Sequence, residues 1–352
     1  MTTLPSPSEG PIVGAFEFAD AINEISEARL LELRAWGVDT LVTEGDAYSA
    51  EAIARVRKAG LRFIAGLSAF SDHAAGNALL EARPELHPID ETGQPRRQIE
   101  WYVGITPTIA DYREARAQAA KRIVREHDVD GLMLDFVRWP LHWEIEHRPG
   151  QERPPMSSFD PVTLADFERW RGASLPVAAG EPASAADWIL RHAASEWTAY
   201  RSAVVTSFVE DVARRVRAVR GDLTLGVFVV PLPPAELAEA VGQDVAALGR
   251  IVDLIAPMTY HAILHRDAAW VRATTEAIAA AAECRVVPVV QVDSADGPRL
   301  GADWGPPVPP DEWAGVARTA WEAAGGLIAF PAGALARDGR GRTLAEIAGA
   351  PR

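Results

Sequence analysis

Short, almost wholly apolar runs alternate along the chain with longer Ala-rich segments in which polar and apolar positions follow a helical period. The apolar runs are PIVGAF (11–16), DTLVT (39–43), LRFIAGL (61–67), GLMLDF (131–136), LTLGVFVV (223–230), VDLIAPM (252–258), RVVPVV (285–290) and GGLIAF (325–330). A strand with one wet face alternates apolar and polar residues. A run that is apolar at nearly every position predicts a strand covered on both faces, as in a parallel sheet. Between the runs lie helical patterns. ISEARLLELRAWG ends on a Gly stop signal. SAEAIARVRKAG opens on Ser49, with Ala52 where Glu or Gln would complete a capping box. DYREARAQAAKRIVREH leads into the fourth run and ASEWTAYRSAVVTSFVEDVARRVRAVR into the fifth. PAELAEAVGQDVAALG, DAAWVRATTEAIAAAAE and DEWAGVARTAWEAAGG follow, and RTLAEIAGA closes the chain.

Repeated strand–helix units imply right-handed crossovers and a parallel sheet. Eight of them predict closure into a single (β/α)8 barrel over 11–352, after an extended or disordered segment 1–10. An open doubly wound sheet would show fewer strands and a Gly-rich first turn, and neither is present. Two connections are long, about 69–108 after the third strand and about 137–185 after the fourth. The second contains DPVTLADFERWRG, which reads as a short helix. Both belong to the face where barrel enzymes place their chemistry.

Composition narrows the partners. The 352 residues are 48% hydrophobic, enough for a large core, and the formal charge is −14 with Lys and Arg scattered. Nucleic acid and anionic membranes reward basic clusters and are excluded as expected partners. No run approaches the ~20 apolar residues of a membrane helix. The N-terminus MTTLPSPSEGPIVGAF has no secretory pattern, and Cys284 is the only cysteine. A cytoplasmic location is the expectation. Cys284 reads as a core thiol. The sequence leaves oligomeric state open.

Polar residues at strand C-termini are the candidates for chemistry. They are Glu17 after the first strand, Glu44 and Asp46 after the second, and Ser68 and Asp72 after the third. Asp135 and Arg138 end the fourth, Tyr260 and His261 the sixth, and Gln291 and Asp293 the seventh. Asp135 is the sharpest signal, because a carboxylate closing the apolar run GLML needs a partner or a task. Asp130, at the opposite end of that strand, reads as a turn or cap residue. Glycoside hydrolysis uses two carboxyl groups, one protonated and one ionised. Glu44 is the first choice to accompany Asp135, with Glu17 and Asp293 behind it. Trp101, Trp139, Trp143, Trp304 and Tyr260 lie in strand-end loops, where flat rings suit the apolar faces of sugars. The seven helical tryptophans read as packing. His142 and His147, which straddle WEIE, read as a solvated cluster. No metal-ligand spacing, Walker loop, dinucleotide fingerprint or G-x-S-x-G occurs, so no cofactor is expected.

At these residues the chain resembles a known group. VDGLMLDFVRWP (129–140) is similar to the fourth-strand motif D-G-[IVL]-x-[FL]-D-[YF]-[IV]-R-[FYW]-P of glycoside-hydrolase-like barrels of the family 10 type. VGQDVAALGRIVDLIAPMTYH (241–261) resembles their G-Q-D…V-D-x-I-S-P-M-x-Y segment, VVPVVQVD their seventh strand, and SEWTAYR their W-x-x-[WFY]-R helix. The resemblance covers roughly 100–332 and implies a carbohydrate-active barrel with Asp135, Arg138, Tyr260 and Gln291 in the site. A more distant resemblance to glycoside hydrolase family 18 matches Asp130, Gly131 and Asp135. That family's catalytic Glu falls at Val137, so its substrate-assisted mechanism is not implied. The reading is a glycosidase with catalytic Asp135 and Glu44. Substrate contacts would come from Glu17, Trp101, Arg138, Trp139, Trp143, Tyr260, His261, Gln291 and Asp293. The rivals are a non-catalytic carbohydrate-binding barrel and a lyase or isomerase of small sugar acids or phosphates.

Overall fold

The computed structural model describes residues 10–45, 47–71, 78–98, 102, 104–177, 180–294 and 303–349. Each apolar run contributes a strand. They are β1 (Val13–Phe18), β2 (Thr40–Glu44), β3 (Arg62–Ser68), β4 (Gly131–Asp135), β5 (Thr224–Val229), β6 (Leu254–Thr259), β7 (Arg285–Val286), β8 (Val289–Gln291) and β9 (Leu327–Phe330). Every pairing is parallel, and the ladder closes because β5 pairs with β6 and β1 with β9. The seventh predicted strand is broken in two at Val287–Pro288. Proline has no N–H to give the ladder. The neighbours bridge the gap, since Val287 donates to Ile255 O (3.0 Å) and Ile328 donates to Pro288 O (2.9 Å). β7 and β8 therefore form one stave, and the fold is a single (β/α)8 barrel. Its interior is filled by rings: Phe16 of β1 stacks on Phe228 of the opposite strand β5 at 4.9 Å and lies 5.0 Å from Phe330.

Local signals act as read. Ser49 Oγ accepts from Ala52 N–H at 3.1 Å and starts the helix Ala50–Lys58. Asp160 caps the helix Pro161–Arg171, as the DPVTLADFERWRG stretch suggests. Asp130 accepts from Phe63 N–H (2.8 Å) and pairs with Arg57 at the N-terminal face of the barrel. The segment PAELAEAVGQDVAALG, continuous in its periodicity, is two helices, Pro234–Val241 and Val245–Gly249. Gly242 ends the first at φ +70, a conformation that favours glycine. Asp244 caps the second through Ala247 N–H at 3.0 Å.

The two long connections lie together over the mouth. Ser71 bridges Gly104, and Asp90 bridges Ser157, both antiparallel. Phe159 N–H donates to Ile89 O at 2.8 Å and Glu91 N–H to Met156 O at 3.0 Å. Behind this cap sits Arg201, which is fully buried. Its guanidinium donates to Ser157 O (3.0 Å), Ala240 O (2.9 Å) and Glu239 O. The Arg201 carbonyl accepts the Trp139 indole N–H at 3.0 Å. A Cβ on Gly242 would meet Trp139 at 2.7 Å and Arg201 O at 2.8 Å, so glycine is required there for space as well as for φ. Gln243 fills the remaining gap. It donates to Phe228 O (2.9 Å) and Val137 O (3.3 Å) and accepts from Val230 N–H (3.1 Å).

Arg201→Ala leaves the buried Ser157 carbonyl and two half-buried helix carbonyls without their donor and empties a fully buried site, the buried carbonyl alone costing ~1–3 kcal/mol. The variant is predicted to lose several kcal/mol of stability in denaturant unfolding. An unchanged midpoint would show that water replaces the guanidinium at no cost.

Candidate functional site

β4 delivers Asp135 to the barrel mouth, level with Ser68 of β3. The next residue, Phe136, has φ +49, left-handed backbone that an aromatic residue adopts only under constraint. The reversal brings Phe136 N–H to Asp135 Oδ1 at 2.7 Å. Asp135 is 4% exposed. Burial pushes its carboxyl up to about 6, against the opposing pull of the Arg138 charge and the Phe136 N–H.

Arg138 is itself buried. Its guanidinium lies over the Phe136 ring (4.8 Å to the centroid) and the Tyr102 ring (5.3 Å). Nη2 donates weakly to Leu141 O at 3.4 Å, while Nε and Nη1 are buried without a protein acceptor. Buried donors without partners are uncommon in folded proteins and need an explanation. Here they face a neighbourhood that carries two acids.

The second acid is Glu144, on the four-residue helix Trp143–Glu146 that follows β4. As a residue it is half-buried, but its carboxyl end is closed off: Oε2 is out of solvent and has no hydrogen-bond partner. Burial raises its carboxyl to about 7, the Asp135 charge adds to the rise, and Arg138 opposes it. Its neighbour Glu146 is differently placed. Both its oxygens take Arg96 at 2.6 Å, and Oε2 also accepts His142 N–H at 2.7 Å. Arg148 clamps the helix to the loops after β6 and β8. It donates to Glu144 O and Ile263 O, each at 2.9 Å, and pairs with Asp303 at 2.6 Å.

The other candidates distribute unevenly. Tyr260 stacks on Phe330 at 5.0 Å and packs against Trp143 at 5.6 Å, beside the Glu144 helix. The Trp143 indole N–H is buried without a partner. Glu17 accepts from Gly333 N–H (2.8 Å) and Phe18 N–H (3.1 Å). His261 is fully buried, 3.2 Å from Glu312 but out of line for a hydrogen bond. Burial lowers it to about 4, so it is neutral near pH 7. Trp139 is buried against Arg201, as described. Gln291 is occupied by backbone: it accepts from Ile263 N–H (3.0 Å) and donates to Trp304 O (2.8 Å). Asp293 pairs with Arg340 (3.1 Å) and Arg337 (3.3 Å) and accepts two backbone N–H groups. Glu44 ends β2 opposite Phe18. Its side chain, with Asp46, Asp72, Trp101 and the segment 1–9, lies outside the described residues. Cys284 is half-buried and its thiol is pushed up to about 11.

Sequence reasoning missed Glu144. The only signal was its place in the loop directly after the fourth strand, where two acids two residues apart look alike. Among the described residues no cluster of three or more His, Cys, Asp or Glu could hold a metal ion. No described helix is long and apolar enough to cross a membrane.

A family profile described as "Putative glycosyl hydrolase domain" matches residues 41–276. The chain belongs to this family. No curated protein matches its sequence. Among solved structures, the glycoside hydrolase domain of PgaB (BpsB) from Bordetella bronchiseptica superposes with TM-score 0.71 at 13% identity, covering 97% of this chain and 100% of that one. The β-galactosidase of the psychrophilic Marinomonas ef1 gives TM-score 0.63 at 12% identity over 91% of this chain and 54% of its own. That of Halorubrum lacusprofundi gives 0.61 at 13% identity over 91% and 52%. At these identities the likeness is one of fold.

The raised carboxyls make stability depend on pH. A carboxyl whose folded value exceeds its unfolded value binds its proton more tightly when folded. Its stabilising contribution is complete below the unfolded value and is lost as pH rises through the folded one. For Asp135 that window runs from 3.8 to about 6, and for Glu144 from 4.5 to about 7. Asp135→Asn removes the buried charge, so its stability relative to wild type is predicted to rise as pH passes through that Asp135 window, by on the order of 2–3 kcal/mol in all. A pH-independent difference in thermal melts would reject the buried-charge account.

Proposed function

We propose that the chain hydrolyses glycosidic bonds, with Asp135 as the ionised carboxylate at the reacting centre. One observation carries the reading: Asp135 sits at the C-terminal mouth of a closed barrel, buried, beside a guanidinium with two unpartnered nitrogens. Family membership supplies the reaction class. The transition state of such hydrolysis is oxocarbenium-like, and a carboxylate facing the anomeric carbon stabilises the developing positive charge or attacks it. Above about 6 Asp135 is ionised without any proton transfer to substrate. Nε and Nη1 of Arg138, which have no protein acceptor, would donate to sugar oxygens. Tyr260 and Trp143 pack against each other beside the Glu144 helix and brace it. Trp139, Gln291 and Asp293 have no role here, because their polar groups are engaged within the protein.

A panel of chromogenic aryl glycosides of varied sugar and anomeric configuration, assayed with wild type and Asp135→Asn, tests this. The expected outcome is a substrate cleaved by wild type and slowed on the order of 10³-fold or more in the variant. Unchanged circular dichroism would exclude misfolding. Turnover retained by Asp135→Asn would reject the assignment.

A further inference from the structure

Glu44 is the acid its strand-end position suggests for the second carboxyl, but the loop after β4 offers a group built differently. We propose that Glu144 is the proton donor to the departing glycosidic oxygen. The inference deepens the glycosidase reading and rests on it.

Three observations place the role on this residue. The first is the contrast on one short helix. Glu146 is bound by Arg96 through both oxygens and by a backbone N–H, so it is a fixed anion and a structural latch. Glu144, two residues earlier, has a buried oxygen that nothing in the protein satisfies. An ionised carboxylate in that position would be costly, whereas a protonated one carries an O–H to give. The second is rigidity. Arg148 grips the Glu144 carbonyl itself and ties it to Ile263 O and Asp303. A proton donor must be held within hydrogen-bond reach of its target, and a clamped backbone supplies that. The third is company. Glu144 lies within the field of both Asp135 and Arg138, and its helix carries Trp143 against Tyr260. The acid and the counter-carboxylate thus act on each other across one end of the barrel, with that buried aromatic pair bracing the acid's helix. The raised carboxyl value, about 7, agrees with a group protonated near neutrality.

The step balances as follows. The C1–O bond breaks and its electron pair stays on the glycosidic oxygen, which takes the Glu144 proton and leaves as a neutral alcohol. The positive charge at C1 faces the Asp135 carboxylate. Water then gives its hydroxyl to C1 and its proton to the carboxyl pair, which returns to one protonated and one ionised group.

The test is Glu144→Gln, read on two aryl glycosides of the same sugar. One has a poor leaving group, p-methoxyphenol, and one needs no proton, 2,4-dinitrophenol. The expected loss is on the order of 10²–10⁴-fold for the first and under about tenfold for the second. The alkaline limb of the kcat/KM profile should also vanish from the variant. Equal losses on both substrates, or none, would overturn the role and leave the Asp135 reading intact. Absence of any glycoside hydrolysis by wild type would overturn both. A second readout needs no turnover. In infrared difference spectra at about pH 6, wild type minus Glu144→Gln should show a protonated-carboxyl C=O band, since burial keeps the Glu144 carboxyl protonated above the usual carboxylate range. A carboxylate band in its place would overturn the proposal.

Discussion

A carboxylate at the mouth of a parallel barrel is surrounded by groups that cannot solvate it. Asp135 meets one backbone N–H and a guanidinium that is near without clasping it. Had Arg138 closed onto Asp135, the pair would be a neutral structural bridge with the acid held low. It does not close, because its plane is taken up by the Phe136 and Tyr102 rings and one of its nitrogens reaches Leu141 O. The left-handed turn at Phe136 serves both ends of this arrangement. It points an N–H at the acid and sets a ring beneath the base. The balance of attraction and separation leaves a carboxyl raised to about 6 beside two guanidinium nitrogens that have no protein acceptor.

Everything behind the site maintains that separation. Most of the shared sequence patterns turn out to be scaffold. In the G-Q-D segment, Gly242 gives way to the Trp139 ring, Gln243 stitches Val137 of the β4 loop to the end of β5, and Asp244 caps a helix. In the W-x-x-[WFY]-R helix, Arg201 fastens the cap loop and the C-terminal end of the helix Pro234–Val241 by their carbonyls. Trp139 of the R-W-P motif hands its N–H to Arg201 O. These residues form one buried network whose outer edge is the loop from Val137 to Trp143. Trp139, Gln243 and Arg201 tie that loop to buried backbone, which stiffens it, while Arg138 and Trp143 at its edge keep N–H groups without a protein acceptor.

The barrel was legible because burial on both faces leaves an unmistakable pattern, a run without alternation. Boundaries inside that pattern were not, since one proline breaks a stave and one glycine breaks a helix without disturbing the hydrophobic period. Asp135 was legible for the same reason as the strands: a charge stands out in an apolar run. The rule that polar residues at strand ends are functional then failed to separate ligands from latches. Gln291 and Asp293 obey it and serve the protein's own backbone and arginines. Glu144 and Glu146 are the harder case. What distinguishes them is Arg96, fifty positions upstream of Glu146 in sequence and in contact with it only after the two long loops come together. Local sequence contains no trace of that choice.

The order in which the two acids ionise follows from their surroundings. Both carboxyls are opposed in their rise by the Arg138 charge and by one backbone N–H, but Glu144 also has the Glu146 charge two residues away and an oxygen with nothing to receive. On raising pH from the acid side, Asp135 therefore loses its proton first. Its new charge then acts on Glu144 and makes the second proton harder to remove. The coupling pushes the two titrations apart and widens the range over which one group is an anion and the other an acid. Burial alone would have raised both together and left no such range. It is the Glu146 charge and the unsatisfied oxygen of Glu144 that hold the two carboxyls apart.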